Sequence, residues 1–137
     1  MTVGGARAGA FICQEAQFPF IARQSAREGA QLLVSTGNDS IFRNPAVASG
    51  HHVAAMFRAI ETHRPLVRAM KTGISSIMDP HGRVVAQADL GQHTVLVAAV
   101  VPSDERTLYT QWGDWIVGMA AALIALVGIG RVSRRRA

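Results

Sequence analysis

The only cysteine of the chain, Cys13, stands in the run Phe11-Ile12-Cys13-Gln14-Glu15. A lone cysteine excludes an internal disulfide framework and any multi-cysteine zinc or iron-sulfur site. The chemistry open to it is that of a thiolate nucleophile. An apolar run of strand length precedes it and a helical pattern follows, which places the sulfur at a strand tip, near the backbone N–H groups that open a helix. There the backbone N–H of Gln14 can donate to an oxyanion formed on a carbonyl attacked by sulfur. The Glu15 carboxylate can orient a base or bind substrate, or serve only as a negative charge at the helix start. The plain alternative for Cys13 is a small buried hydrophobe.

The surrounding pattern supplies elements to hold these residues. Phe18, Ile21, Ala22, Ser25 and Ala26 fall at helical spacing, and Gly29 follows where a left-handed cap belongs. Gln31 to Ser35 is an apolar run of strand length, closed by the turn-forming residues Thr36-Gly37-Asn38-Asp39. The resulting strand-helix-strand unit predicts parallel pairing, with chemistry beyond the carboxyl ends of the strands. Cys13 and Asn38-Asp39 both lie at such ends.

A second helix is predicted with Val53, Phe57 and Ile60 on one face and Arg58 and Glu61 off it, stopped by Pro65. Leu66–Ala69, Ile74–Met78, Arg83–Ala86 and Thr94–Val101 then read as four extended segments. Asp79-Pro80-His81-Gly82 fits a type I turn between two of them. His51 and His52 are adjacent on the helix and so do not face one ligand sphere, and no acidic or cysteine partner lies at helical spacing. No metal site and no cofactor are expected.

The whole chain has 137 residues, 49% hydrophobic and 17% charged, the size and composition of one ordinary domain. Its formal charge of +5 owes four positives to Arg131, Arg134, Arg135 and Arg136. No basic stripe with interleaved aromatics lies outside that cluster, so nucleic acid is set aside as a partner. The start, Met1 to Ala10, lacks the apolar core and cleavage site of a secretory signal and enters its first strand almost at once, which suggests a fold joined partway through. Trp115 to Gly130 is sixteen residues without a charge, flanked by Trp112 and by the arginines. It spans about 24 Å at helical rise, against about 30 Å for a bilayer core. The aromatic and basic flanks favour a transmembrane helix with the arginines in the cytoplasm; a helix buried in a soluble core is the alternative.

The blocks Phe11-Ile12-Cys13-Gln14-Glu15-Ala16-Gln17-Phe18-Pro19, Ala26 to Val34, Asn38-Asp39, Arg58-Ala59-Ile60-Glu61, Arg64 to Ala69, Thr72 to Ser75 and Asp79 to Val84 resemble, in order, those of the nitrilase (carbon-nitrogen hydrolase) superfamily. Leu108-Tyr109-Thr110-Gln111-Trp112-Gly113-Asp114-Trp115 and the apolar run behind it are similar to the end of the apolipoprotein N-acyltransferases of that superfamily. The resemblance implies an α/β fold: the C-terminal part of a nitrilase-like α-β-β-α sandwich over residues 1–108, one transmembrane helix with its aromatic approach over 109–130, and a basic cytoplasmic tail over 131–137. It further implies a bacterial inner-membrane enzyme with its catalytic domain on the outer face.

Such an enzyme uses a Glu-Lys-Cys triad to take an acyl chain from a phospholipid as a cysteine thioester and pass it to the N-terminal cysteine of a lipoprotein. Carried over by position, the resemblance makes Cys13 the nucleophile and Glu15 a supporting carboxylate. Asn38, Asp39 and Phe42 become substrate-binding residues, and Glu61, Arg64 and Arg68 a buried ion-pair network behind the site. Phospholipid, lipoprotein, membrane and a missing N-terminal part of the enzyme are the implied partners. The triad glutamate and lysine precede the cysteine in the family, yet the twelve residues before Cys13 contain neither type. Lys71 lies after the nucleophile, between two strands, and is not that lysine. Two other functions follow from the same residues: a membrane-anchored amidase, or a truncated remnant that is catalytically silent. Gln14 replaces the family's aromatic after the nucleophile, and Ser40-Ile41-Phe42-Arg43 replaces its Ala-Trp-Phe-Gly.

Overall fold

The computed structural model describes the backbone of residues 1–42 and 44–136 and the side chains through residue 126, Arg43 apart. A hairpin opens the chain. β1 (Thr2–Val3) and β2 (Ala6–Ile12) pair antiparallel across Gly4 and Gly5, both at positive φ, the two-residue turn whose twist matches that of its strands.

From β2 the chain passes through a short 3₁₀ turn (Cys13–Gln17) into α1 (Pro19–Arg27), where Pro19 is preset for a first helical position. Gly29, at φ +90°, ends this helix as its spacing predicts; a Cβ there would also meet the Arg7 guanidinium at 2.6 Å. β3 (Leu32–Gly37) then pairs parallel to β2, with Phe11 opposite Ser35. The Asn44 side chain accepts a hydrogen bond from the Ala46 N–H at 2.9 Å, and this cap starts α2 (Pro45–Thr62). The helix stops at His63 in left-handed conformation, two residues before Pro65.

β4 (Leu66–Met70) pairs parallel to β3, while β5 (Ser75–Met78) and β6 (Val84–Ala88) add antiparallel, giving one sheet in sequence order. The predicted turn is present between β5 and β6, closed by the Gly82 N–H donating to the Asp79 carbonyl at 3.0 Å. Two crossovers of one hand place α1 and α2 on the same face of the sheet, where they touch. Phe11, Leu33, Leu66 and Met78 from the strands fill the core against Ala16, Ala22, Ala55 and Ala59. Full burial of such a large apolar side chain stabilises by roughly 1.5–3 kcal/mol. Alanines on the helices let the backbones approach closely. On the face without helices, Ala10, Ile12 and Ala69 are exposed, so this sheet presents a small apolar surface of the kind a sandwich covers with a second sheet.

Three expectations are corrected. On α2 the apolar trio Val53, Phe57 and Ile60 faces outward, at 46%, 51% and 38% exposure, and the inward stripe is Ala48, His51, His52, Ala55, Arg58, Ala59 and Thr62. Small residues and partnered polar groups, rather than bulk, define the packed side. Thr94–Val101 keeps a two-residue alternation, with Leu96, Ala98 and Val100 half-buried and Val95 and Val97 exposed, but it is not a strand. Among the described residues it pairs with no strand of the sheet.

The third correction concerns the membrane. α3 (Leu108–Trp112) leads into α4 (Trp115–Arg136), yet among the described residues no helix is long and apolar enough to cross a bilayer. The uncharged stretch ends at Gly130 after sixteen residues and is diluted by glycine and alanine, where a span needs about 20 strongly apolar ones. The transmembrane helix is therefore withdrawn, and with it the topology of an outer catalytic face and a cytoplasmic C-terminus. The side chains of the arginine cluster lie outside the described residues.

Candidate active site

Cys13 sits at the tip of β2 as the spacing predicts, and its backbone has φ +53°. A residue with a Cβ enters that left-handed region at a cost of about 1–3 kcal/mol. Two anchors enforce it. Phe11 on one side and Ala16 on the other are each only 1% exposed, so the chain must turn sharply between them and leaves the thiol half-buried at the corner. The end of β3 packs against that corner: a Cβ on Gly37 would come within 2.8 Å of Cys13 Cα and 3.1 Å of its nitrogen. Glycine at 37 is what permits the approach.

Glu15 does not face the sulfur as a free carboxylate. Its Oε2 accepts the Ile12 N–H at 2.7 Å, closing the short turn like a capping residue. Gln14 is exposed in the first turn, where backbone N–H groups have no partner within the helix. Lys71 is exposed, and its backbone N–H donates to the Gly37 carbonyl at 2.9 Å.

Asn38, Asp39 and Phe42, read from the sequence as substrate-binding, are engaged with the protein. The Asn38 Oδ1 accepts from the Ser40 N–H at 3.0 Å and the Thr72 hydroxyl at 2.7 Å. Asp39 is 4% exposed; its Oδ1 meets His51 Nδ1 at 2.9 Å, and its Oδ2 faces Arg68 Nη2 at 3.5 Å. The Phe42 ring stands edge-on to the His51 imidazole, with centroids 5.2 Å apart. Arg68 also donates to the Ser35 hydroxyl and the Ile74 carbonyl, both at 3.2 Å. Burial pushes Arg68 below the ordinary guanidinium range, while the Asp39 carboxylate and then the Cys13 sulfur pull it back up. His52 turns elsewhere, with Nδ1 3.5 Å from the Ser76 hydroxyl; burial and then Arg68 lower its pKa.

The expected network of Glu61, Arg64 and Arg68 is divided into three. Glu61 pairs with Arg58 at 2.8 Å, and burial raises its carboxyl against the pull of that arginine. Arg64, 2% exposed, donates to the carbonyls of Ala30, Thr62, His63 and Glu105. Only Arg68 approaches the Cys13 corner. What the sequence did not reveal is the His51–Asp39 contact, because it joins a helix to a loop and has no local spacing. Among the described residues no group of three or more His, Cys, Asp or Glu side chains is placed to hold a metal ion.

Comparison with known proteins gives the family. Residues 1–109 match the carbon-nitrogen hydrolase family, and the chain belongs to it. Among curated relatives, the apolipoprotein N-acyltransferase of Gloeobacter violaceus is 40% identical over 118 residues, covering 86% of this chain and 22% of that protein. That of Geobacter metallireducens is 35% identical over 136 residues, covering 97% and 26%. The chain thus spans about a quarter of the length of these relatives, and the homology is to their C-terminal domain. Among solved structures, Saccharomyces cerevisiae Nit3, a nitrilase-superfamily protein, superposes with a TM-score of 0.55 at 26% identity, over 63% of this chain and 34% of Nit3. The Caenorhabditis elegans NitFhit protein gives 0.54 at 29% identity, over 63% of this chain and 23% of its own.

Proposed function

We propose that this chain is the cysteine-bearing portion of a carbon-nitrogen hydrolase-type acyl-transfer site, and that it is catalytically silent by itself. One observation carries the reading. Cys13 is held at a strained strand tip, a setting that suits a nucleophile, while among the described residues neither Glu15 nor Lys71 supplies the helpers such chemistry needs. Attack of sulfur on an amide or ester carbonyl forms a C–S bond, moves the thiol proton to a base and puts negative charge on oxygen. Glu15 already accepts the Ile12 N–H, and Lys71 is exposed on a turn. Neither serves as that base or as the cation for the oxyanion.

The purified chain is therefore expected to release no ammonia from small amides and to form no thioester with phospholipid, as read by intact mass. Sustained turnover that disappears in Cys13→Ala would overturn the silence of the isolated chain.

The names of the relatives favour a second, finer reading for a longer protein containing this sequence. In it Cys13 accepts the phospholipid acyl chain as a thioester and yields it to the amino group of a lipoprotein's N-terminal cysteine. Grafting residues 1–109 onto the upstream portion of the Geobacter relative tests it. The acyl-enzyme is expected in the chimera and absent from its Cys13→Ala form; a chimera that folds but forms no adduct rejects this reading.

A further inference from the structure

We propose that His51, Asp39 and Arg68 form a buried strut that sets the position of the Cys13 corner, making them positioning residues for the nucleophile. The inference rests on the reading of Cys13 as that nucleophile. All three side chains are almost fully enclosed, and each comes from a different element: α2, the loop after β3, and β4. The Asp39 carboxylate is bracketed from two sides: one oxygen is hydrogen-bonded to His51, and the other faces the Arg68 guanidinium 3.5 Å away as an ion pair without a hydrogen bond. Arg68 is in turn fixed to Ser35 and to the Ile74 carbonyl.

A carboxylate enclosed this way cannot move away from both partners without leaving a charge unpaired away from water, which is strongly unfavourable. Asp39 therefore immobilises its own backbone. Two residues upstream is Gly37, the backbone against which Cys13 rests. Downstream, Phe42 packs edge-on against the same His51 ring, so the strut holds the loop at both ends. Gly73 closes the remaining side: a Cβ there would collide with Asp39 Oδ2. Position thus passes from α2 and β4, through one carboxylate, to the tip of β3 and on to the Cys13 backbone.

The test uses the whole chain and two readouts: amide hydrogen exchange of peptides covering 11–17 and 36–42, and the rate of Cys13 alkylation by iodoacetamide. In His51→Ala, exchange in those two peptides is expected to rise at least about tenfold, the effect of losing one charged hydrogen bond on local opening. Alkylation should quicken with it, while the β5–β6 hairpin stays unchanged. His51→Asn, whose amide can donate from near the Nδ1 position, should recover most of both. Gly73→Ala displaces the carboxylate while keeping every member of the strut, and should reproduce the His51→Ala pattern; it carries the test if the latter does not fold.

Unchanged exchange in the two peptides, a uniform rise over the whole chain, or no recovery in His51→Asn would each overturn the strut. The nucleophile reading fails separately. If exchange responds as stated but Cys13 alkylates in the folded parent at the rate of the urea-unfolded chain, the strut stands and the special character of the thiol does not.

Discussion

Arg64 reaches across the end of the sheet to donate its Nε to the Ala30 carbonyl at 2.6 Å, tying the end of α2 to the loop that feeds β3. The same guanidinium holds the carbonyls of Thr62, His63 and Glu105, so one buried cation satisfies acceptors from three segments. Arg64→Met removes all of these donors at once and is expected to cost about 3 kcal/mol or more, since buried acceptors lose their partners. Arg64→Lys should recover less than half, because one ammonium occupies a single point and cannot serve both the Ala30 carbonyl held by Nε and the three carbonyls held by Nη1. Urea denaturation midpoints of the three chains provide the comparison; equal midpoints for the lysine variant and the parent would refute the argument.

The contact of Gly37 with Cys13 makes a separate prediction. A methyl group at 37 would meet Cys13 Cα at 2.8 Å and Met70 Cε at 3.1 Å, and only the methionine end can yield easily. Gly37→Ala is expected to cost about 1–3 kcal/mol, the range for overpacking. It should also shift the backbone at 12–15. Amide chemical-shift changes confined to β2, the 3₁₀ turn and the ends of β3 and β4 would match; a spectrum superimposable on that of the parent would not.

How much of this could be read from residues alone depends on whether the controlling contact is local. Pro19 and Gly29 mark α1, and Asp79 to Gly82 mark the β5–β6 turn, because capping and turn chemistry act within a few residues. The Cys13 corner was legible for the same reason, as an apolar strand run into a helical one. Val53, Phe57 and Ile60 misled because hydrophobic spacing finds a face without saying which side of it packs. His51 and Arg58 are inward only because Asp39 and Glu61 meet them there. The Thr94–Val101 alternation is present, but alternation gives a segment two faces without providing the ladder partner that makes it a strand. In α4, the tryptophan and arginine flanks outweighed a length that was already too short.

His52 gives the chain a pH dependence of known sign. Burial, reinforced by Arg68, lowers its pKa below the ordinary 6.5. Between the folded value and 6.5 the unfolded chain binds more protons, so stability rises with pH across that window. It is fully present above 6.5 and is lost as pH falls toward the folded value. Glu61, raised by burial, acts in the opposite sense at lower pH and is common to both chains compared here. Denaturation midpoints measured from pH 7.5 down to 5.5 should therefore decline more steeply for the parent than for His52→Asn. Parallel slopes would contradict the assignment.

The reversed face of α2 is open to a direct contrast of substitutions. Ala55 and Ala59 are fully enclosed against Phe11, Leu33 and Leu66, whereas Phe57 is half-exposed on the other side of the same helix. Enlarging an enclosed alanine forces the helix from the sheet, so Ala55→Leu and Ala59→Leu are each expected to cost about 1–3 kcal/mol. Shortening Phe57 to alanine removes only a partly hidden ring and improves helix propensity, so its cost should stay under about 1 kcal/mol. If the apolar trio faced the core instead, the ranking would invert, with Phe57→Ala costing about 3–5 kcal/mol. Urea midpoints of the three variants distinguish the two packings, and the inverted order would return Val53, Phe57 and Ile60 to the inner face.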